Sequence, residues 1–314
     1  MKDTFDREIN YLRISVTDLC NLRCVYCMPE KGILDKKKHE EIITPERIEE
    51  IVSEAVKLGI SKVRLTGGEP LIRGGIVEIC RKIKAISRIN ELCVTTNGVL
   101  LKEMAKDLFD AGVDRLNISL DTLNKDKYFR ITRGGNINAV FEGIEEAKKV
   151  GFKNIKINAV LIGGFNDDEL MDFAKFSRDN DVVVRFIELM PIGQGKTMPD
   201  RSFLSNEKVL NEIPDLIKEK DDGVSKQYRF KDGRGQIGLI SPLSSSFCKD
   251  CSRIRLTSDG KLRPCLHSSL EIDTSNLHGD ELLMALKKAI LLKPEKHHLE
   301  VGSESMKNMN EIGG

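Results

Sequence analysis

A repeated unit of β-rich run, loop, amphipathic helix and glycine constrains the fold of this 314-residue chain more than any other feature. Six runs have strand character, at residues 11–16, 62–66, 91–95, 115–119, 154–160 and 182–188. Helical patterns separate them, at about residues 45–58, 76–86, 102–111, 139–150 and 167–179. Such alternation predicts right-handed βαβ units and a parallel sheet. Because a closed barrel needs eight units, six predict an α/β fold: a partial, open parallel (β/α)6 TIM-like barrel.

The composition changes after Pro191, and this change suggests a division of the chain. Residues 193–202 read as a linker, 205–220 as a helix, and 228–230 and 236–240 as short strands. We therefore predict a barrel at residues 1–191 and a C-terminal region at 192–314 that closes the open side of the barrel.

Polar residues and glycines collect where the predicted strands end. The second strand runs into T-G-G-E-P at Thr66–Pro70, the third into T-T-N-G, the fourth into N-I-S-L-D and the sixth into E-L-M-P. Because the active site of a (β/α) barrel lies at the carboxyl ends of its strands, these four turns predict the active-site edge.

Three cysteines follow the first strand within eight residues, at Cys20, Cys24 and Cys27. Thiolates at this spacing suit soft metals and above all iron–sulfur clusters. A four-iron cluster held by three thiolates keeps one iron open for another ligand. A structural zinc loop, or a set of buried thiols, is the alternative interpretation.

A second set of cysteines, Cys248, Cys251 and Cys265, has the spacing C-x-x-C-x₁₃-C. The residues between the last two predict a hairpin with a D-G turn. With His267 these cysteines make a Cys₃His zinc site possible, so spacing alone leaves zinc and an iron–sulfur cluster open. The two remaining cysteines, Cys80 and Cys93, are expected in the core as small hydrophobic residues.

Cations recur inside the predicted strands, at Arg13, Arg64, Lys156 and Arg185. An arginine in a parallel strand is costly to bury unless it is paired or binds an anion. We expect an internal basic cavity for a polyanion such as a triphosphate, because guanidinium forks match phosphate oxygens. Salt bridges to three carboxylates are the alternative, and these carboxylates are Glu69, Asp121 and Glu188.

The overall charge excludes some classes of function. Lysine and arginine number 50 against 49 acidic residues, a net charge of +1, whereas a nucleic-acid or membrane-surface protein carries a basic excess. The sequence has neither a signal-peptide pattern nor an apolar run of membrane-spanning length. We therefore expect a cytoplasmic protein, in which eight cysteines favour metal binding over disulfides.

The first cysteine loop, with Tyr26 directly before its third cysteine, resembles the signature of the radical S-adenosylmethionine (radical SAM) enzymes. The complete order of motifs, from this loop through the βα units and C-x-x-C-x₁₃-C to the terminal Gly-Gly, is similar to the MoaA family of GTP 3′,8-cyclases in molybdenum cofactor biosynthesis. The resemblance implies two [4Fe–4S] clusters, one on each cysteine set, with S-adenosylmethionine on the first open iron and the guanine of GTP on the second.

The resemblance also implies roles for individual residues. Those that contact S-adenosylmethionine are Tyr26, Gly68, Ser119 and Met190. Those that contact GTP are Arg13, Arg64, Thr95, Lys156, Arg253 and Arg255, and the strand pattern adds Arg185. The family's terminal glycine pair, Gly313 and Gly314, reaches into the active site and is needed for turnover.

The implied reaction converts GTP to 3′,8-cyclo-7,8-dihydro-GTP through removal of the C3′ hydrogen, and the product passes to the enzyme MoaC. The electron donor is unknown, and a monomer or a homodimer is expected. Two alternatives remain: a peptide-modifying radical SAM enzyme with an auxiliary cluster, and a non-enzymatic binding module stabilised by zinc.

Overall fold

The computed structural model describes residues 1–33, 37–297 and 307–312. The strands, in chain order, are β1 Tyr11–Ser15, β2 Lys62–Thr66, β3 Glu91–Thr96, β4 Arg115–Ser119, β5 Lys156–Leu161, β6 Val183–Glu188, β7 Leu216–Lys218, β8 Lys226–Phe230, β9 Gln236–Ile240, β10 Arg253–Leu256, β11 Lys261–Arg263 and β12 Ile272–Asp273. The α-helices are α1 Pro45–Lys57, α2 Ile76–Ala85, α3 Leu101–Asp110, α4 Lys125–Thr132, α5 Ile137–Val150, α6 Leu170–Asn180, α7 Glu207–Glu212, α8 Gly279–Leu291 and α9 Met309–Ile312.

The strands form one sheet in the order β12-β11-β10-β1-β2-β3-β4-β5-β6-β9-β8-β7. Strands β1 to β6 pair in parallel in chain order, as predicted, and the edge strands β12 and β7 do not pair with each other. The open (β/α)6 barrel is thus confirmed.

The C-terminal region adds strands to both edges of this barrel. Strand β10 pairs in parallel with β1, and β9 pairs in parallel with β6. The sheet therefore runs without a break across the expected boundary at residue 191, and the division into two domains stays a prediction.

Strand alternation gives the barrel a polar interior and an apolar exterior. Leu12 and Ile14 on β1 are fully buried in the hydrophobic core, which the outer helices cover. Successive side chains point to opposite faces of a strand, so Arg13 lies on the inner face. Its register partners on β2 and β10 are Arg64 and Arg255, which places three guanidinium groups in one layer.

Three helices, α4, α8 and α9, were not predicted from the sequence, and one predicted helix is too long. Helix α4 is capped by Asn124, whose side chain accepts hydrogen bonds from two backbone N–H groups. The sequence of this helix is short and polar and therefore resembles that of a loop. Helix α8 lies in the weakly patterned C-terminal region. The helix expected at 205–220 ends at Glu212, because Pro214 disfavours helical backbone before it, and the chain continues as β7.

Across the ranges that the structure describes, no helix is both long enough and apolar enough to cross a membrane.

Candidate active site

The first cysteine set lies in the loop that leaves the carboxyl end of β1. Within it the N–H of Cys27 donates to the carbonyl of Cys24 at 3.0 Å, which curls the loop around its sulfurs. The N–H groups of Arg23 and Val25 donate to carbonyls at the end of α4, at 3.1 and 2.9 Å. Helix α4, which the sequence patterns missed, therefore holds the cysteine loop in place.

The six clustered cysteines differ from the other two in exposure. All eight are free thiols, but Cys80 and Cys93 are buried whereas the six in the two sets are half-buried. The prediction that Cys80 and Cys93 are core residues is confirmed, and the six remaining cysteines are partly exposed residues.

Each cysteine set offers three free thiols to a bound metal group. Thiolates are the protein ligands of iron–sulfur clusters, and a four-iron cluster binds each thiolate through a separate iron. The donor chemistry of the two cysteine sets therefore fits iron–sulfur clusters.

The T-G-G-E-P turn packs directly on the first cysteine loop. The N–H groups of Gly68 and Glu69 donate to the carbonyls of Thr17 and Leu19, both at 2.8 Å. A Cβ on Gly68 would lie 2.0 Å from the Leu19 carbonyl oxygen, so only glycine permits this approach. The Glu69 carboxylate accepts from the N–H groups of Leu71 and Asn97, and burial raises its pKa to about 7.

We expect Gly68→Ala to displace the first cysteine loop. Backbone atoms must move to remove the 2.0 Å contact, at a cost of about 1–3 kcal/mol, the range for overpacked positions. Anaerobic iron analysis and thermal unfolding measure the effect, and we expect iron loss together with a lower Tm. Gly74→Ala is the matched control, because a Cβ there meets nothing within 4 Å. Equal iron content in the two variants would contradict this interpretation.

The other residues expected to contact S-adenosylmethionine surround this loop. The Tyr26 hydroxyl donates to Asp121 at 2.7 Å, and the second carboxylate oxygen of Asp121 accepts from the N–H of Val160. Ser119 and Met190 are half-buried at the ends of β4 and β6. All of these lie at the carboxyl edge of the sheet, and their contacts with the cofactor stay predictions.

The second cysteine set lies at the opposite end of the barrel interior. Cys251 directly precedes β10, and Cys265 follows the antiparallel strand β11, which returns the chain to the same end. Because β10 runs parallel to β1 with Arg253 beside Tyr11, this end is the amino end of β1. The two sets are therefore separated by about the length of β1, roughly 15 Å at 3.3 Å per residue.

The electrostatic surroundings of the two sets differ. Burial and the charge of Cys20 raise the pKa of Cys27 to about 12. Burial acts in the same direction at Cys251, but the charges of Arg253 and Lys293 lower its pKa to about 6. Within the second set, Cys251 therefore lies close to the positive charges of Arg253 and Lys293.

Buried cations line the interior between the two sets. Burial and the charges of Arg255 and Arg64 lower the pKa of Arg13 well below its usual value. Burial and neighbouring cations likewise lower the pKa values of Arg185 and Arg255, each to about 9. These guanidinium groups repel one another in a desolvated space, which a bound polyanion would stabilise.

The expected carboxylate partners do not neutralise these cations. Glu69 and Asp121 accept from the groups described above, and Glu188 accepts from the N–H groups of Asn206, Leu243 and Ser244. Hydroxyl groups of Thr96, Tyr26 and Ser244 also donate to these three carboxylates, so their contacts give no support to the salt-bridge alternative.

Neutral side chains contact the cations instead. Arg64 donates to the hydroxyl of Thr95 at 3.1 Å, and the Asn117 amide oxygen, in the orientation that satisfies its neighbours, accepts from Arg64 and Arg185. Arg64 and Arg185 thus have neutral hydrogen-bond partners, whereas Lys156 and Arg115 pair with the carboxylates of Asp222 and Glu91.

Sequence reasoning missed two functional candidates on β4. Arg115 joins the interior cations and pairs with Glu91 at 2.5 Å, and Asn117 bridges two guanidinium groups. The sequence pattern of β4 could have identified them, because both residues alternate with the buried Leu116 and Ile118 and so lie on the opposite face of the strand.

The end of the chain docks between the two cysteine sets. Ile312 is buried against Ile192, and its carbonyl accepts from Arg255 at 3.4 Å. The Asn310 side chain donates to the carbonyl of Asp18 at 3.2 Å. The terminal pair, Gly313 and Gly314, lies outside the described residues.

Known proteins share this fold and its motifs. A family model for the radical SAM superfamily matches residues 14–177, and a model for Molybdenum Cofactor Synthesis C matches residues 182–299. The crystal structure of Streptococcus suis SuiB bound to S-adenosylmethionine aligns with a TM-score of 0.60 at 16% identity, over 96% of this chain and 74% of that chain. Native anSMEcpe with bound AdoMet aligns with a TM-score of 0.59 at 17% identity, over 89% of this chain and 83% of that chain. Fold and motifs together define a radical SAM enzyme.

Curated relatives match along the full length of the chain. The GTP 3′,8-cyclase of Alkaliphilus oremlandii is 51% identical, that of Alkaliphilus metalliredigens is 50% identical, and both alignments cover 100% of each chain. The GTP 3′,8-cyclase of Clostridium botulinum (strain Okra) is 46% identical over 100% of both chains. The chain belongs to the GTP 3′,8-cyclase family of the radical SAM superfamily. This membership makes it an enzyme, so the non-enzymatic zinc module is wrong, and it makes S-adenosylmethionine and [4Fe–4S] clusters its cofactors.

Proposed function

We propose that this chain cyclises GTP to 3′,8-cyclo-7,8-dihydro-GTP in the first step of molybdenum cofactor biosynthesis. The observation that carries the proposal is the interior layer of mutually repelling cations between two cysteine loops. Such a layer suits a triphosphate, and the full-length relatives are GTP 3′,8-cyclases.

Each cysteine loop has a separate task in this proposal. Cys20, Cys24 and Cys27 would hold one [4Fe–4S] cluster, and Cys248, Cys251 and Cys265 the other. When bound, the first cluster and S-adenosylmethionine supply the radical chemistry, while the second offers an open iron to the guanine. The chain's own residues orient the nucleotide and exclude water from it.

Residues at the carboxyl edge would hold S-adenosylmethionine. Tyr26 is fixed by Asp121 beside the first loop, and the backbone of Gly68 is fixed against Thr17. Ser119 and Met190 complete the edge at the ends of β4 and β6.

The interior cations would hold the nucleotide. Arg253 and Arg255 lie beside the second cysteine set, where the guanine would sit. Arg13, Arg64 and Thr95 follow across the barrel, and Arg185 and Lys156 lie on its far wall. This row of donors is long enough to follow a triphosphate chain away from the base.

Further assignments complete the proposal. The protein would act in the cytoplasm as a monomer or homodimer, without nucleic acid or membrane, and pass its product to MoaC; its electron donor is unknown. The full-length relatives favour GTP over the peptide-modifying alternative, and the solved structures at 16–17% identity carry no information on substrate.

One anaerobic assay tests the function. The purified protein is incubated with GTP, S-adenosylmethionine and a strong reductant, and the nucleotides are analysed by mass spectrometry. We expect 5′-deoxyadenosine together with a cyclised nucleotide isomeric with GTP. Formation of 5′-deoxyadenosine without any change to GTP would contradict the proposal.

Arg255→Ala should weaken GTP binding by about ten- to hundredfold, the loss typical of a charge-assisted contact worth about 1.5–3 kcal/mol. Cleavage of S-adenosylmethionine without GTP should be unchanged, since Arg255 lies in the nucleotide layer. Equilibrium binding of GTP is the measurement, and Arg81→Ala on the exposed face of α2 is the control. Unchanged affinity in Arg255→Ala would show that this residue has a structural role.

A further inference from the structure

One acidic side chain reaches the interior cations from outside the barrel. Asp222 lies at the turn between β7 and β8, closed by reciprocal backbone hydrogen bonds with Ser225 at 3.0 and 3.1 Å. Gly223 has a φ of +61°, which favours glycine and keeps this turn tight. The Asp222 carboxylate forms a short ion pair with the ammonium group of Lys156.

This ion pair lies at the amino end of the strands, in a polar cavity of about 460 Å³. The first residues of β3, β4 and β5 line it, namely Glu91, Arg115 and Lys156. Lys156 therefore lies both in this cavity and on the inner face of β5, opposite the core residue Ile157.

The cations near Asp222 stabilise its negative charge, while the cavity's other carboxylates, Glu91, Asp114 and Glu219, have cationic partners of their own. Burial acts to raise its pKa, but its hydrogen bond and charge interaction with Lys156, together with the charges of Arg115 and Arg185, keep the pKa below its usual value. Glu91 does not share this position, because it pairs with Arg115 and Lys62. Asp222 therefore pairs directly with Lys156 and lies within the electrostatic reach of Arg115 and Arg185.

We propose that Asp222 occupies the subsite of the terminal phosphate and competes with it for Lys156. The inference rests on the proposed function and adds to it a determinant of nucleotide affinity. The row of cations begins beside the second cysteine set at Arg253 and ends at Lys156. A nucleotide whose base lies beside Arg253 brings its last phosphate to Lys156.

Competition has a defined consequence for different nucleotides. GTP must displace Asp222 from Lys156 and place its terminal phosphate beside a carboxylate of the same charge. GDP is one phosphate shorter and does not reach Lys156. Removal of the Asp222 charge therefore strengthens GTP binding and leaves GDP binding nearly unchanged.

Asp222→Asn tests this inference by equilibrium binding of GTP and GDP to the anaerobic protein with both clusters loaded. We expect GTP affinity to rise about tenfold or more, with GDP affinity changed by less than about twofold. Asp221→Asn is the matched control, because it removes the same charge from an exposed neighbour in the same turn. Thermal unfolding without nucleotide verifies that each variant is folded.

The outcomes separate this inference from the proposed function. Equal or weaker GTP binding by Asp222→Asn, with normal binding by the unaltered protein, overturns the competition and leaves the function intact. An equal gain in Asp221→Asn also overturns it, because the effect would then be general charge repulsion. If the unaltered protein fails to bind GTP, the proposed function itself is wrong.

Discussion

Deletion of Gly313 and Gly314 should reduce cyclisation of GTP by at least about a hundredfold while both clusters and the fold stay intact. We expect a loss of this size because a displacement of a reacting group by about 1 Å lowers the rate by about a hundredfold. The contacts of α9 support the prediction, because Ile312 lies against Arg255 and Asn310 against Asp18. Helix α9 therefore ends beside the nucleotide layer, with Asn310 against the first cysteine loop.

The measurement is product formation under reducing, oxygen-free conditions, with iron content and thermal unfolding as controls. A second variant, Gly313→Ala with Gly314→Ala, keeps the chain length and adds only side-chain bulk. We expect it to lose activity as well, because glycine allows the closest backbone approach to a bound molecule. Cyclised nucleotide at the unaltered rate from the truncated protein would contradict the assignment.

Replacement of Cys248, Cys251 and Cys265 by serine should remove one of the two clusters and halve the iron content. Cyclisation should fall at least about a hundredfold, because the group that orients the guanine is lost. Cleavage of S-adenosylmethionine should persist, since the first loop is held by α4 and the T-G-G-E-P turn rather than by the second set.

Iron, zinc and acid-labile sulfide analysis of anaerobically purified protein measures this outcome. Cys80→Ala is the control, because it removes a buried thiol that belongs to neither set. A triple variant with unchanged iron but less zinc would identify the second site as structural zinc, and the proposed guanine contact would then fail.

The parallel barrel could be predicted because its signals are local. The bounds of β2 and β4 agree with the sequence pattern at both ends, and those of β6 differ by one residue. The interior position of Arg13, Arg64 and Arg185 could be predicted because an arginine inside a parallel strand is costly to bury unless it is paired or binds an anion.

The features that escaped prediction depend on contacts between distant residues. No local pattern shows that β10 lies beside β1, more than 240 positions away, or that Asp222 reaches Lys156 from a different edge of the sheet. The Asn117 bridge between two guanidinium groups likewise exists only when three strands are in register. The sequence predicted cations in the interior, but the partners of these cations depend on which strands lie side by side in the folded sheet.

The parallel pairing of β1 with β10 has a consequence for biosynthesis. During translation the first cysteine loop leaves the ribosome more than 220 residues before β10, which supplies the neighbouring wall and the approach to the second set. The nascent chain therefore has a place for one cluster long before it has a place for a nucleotide. Pairings of such long sequence separation also form slowly. Maturation of the enzyme thus passes through a stage in which the radical-generating half is complete and its substrate cavity is still open to solvent.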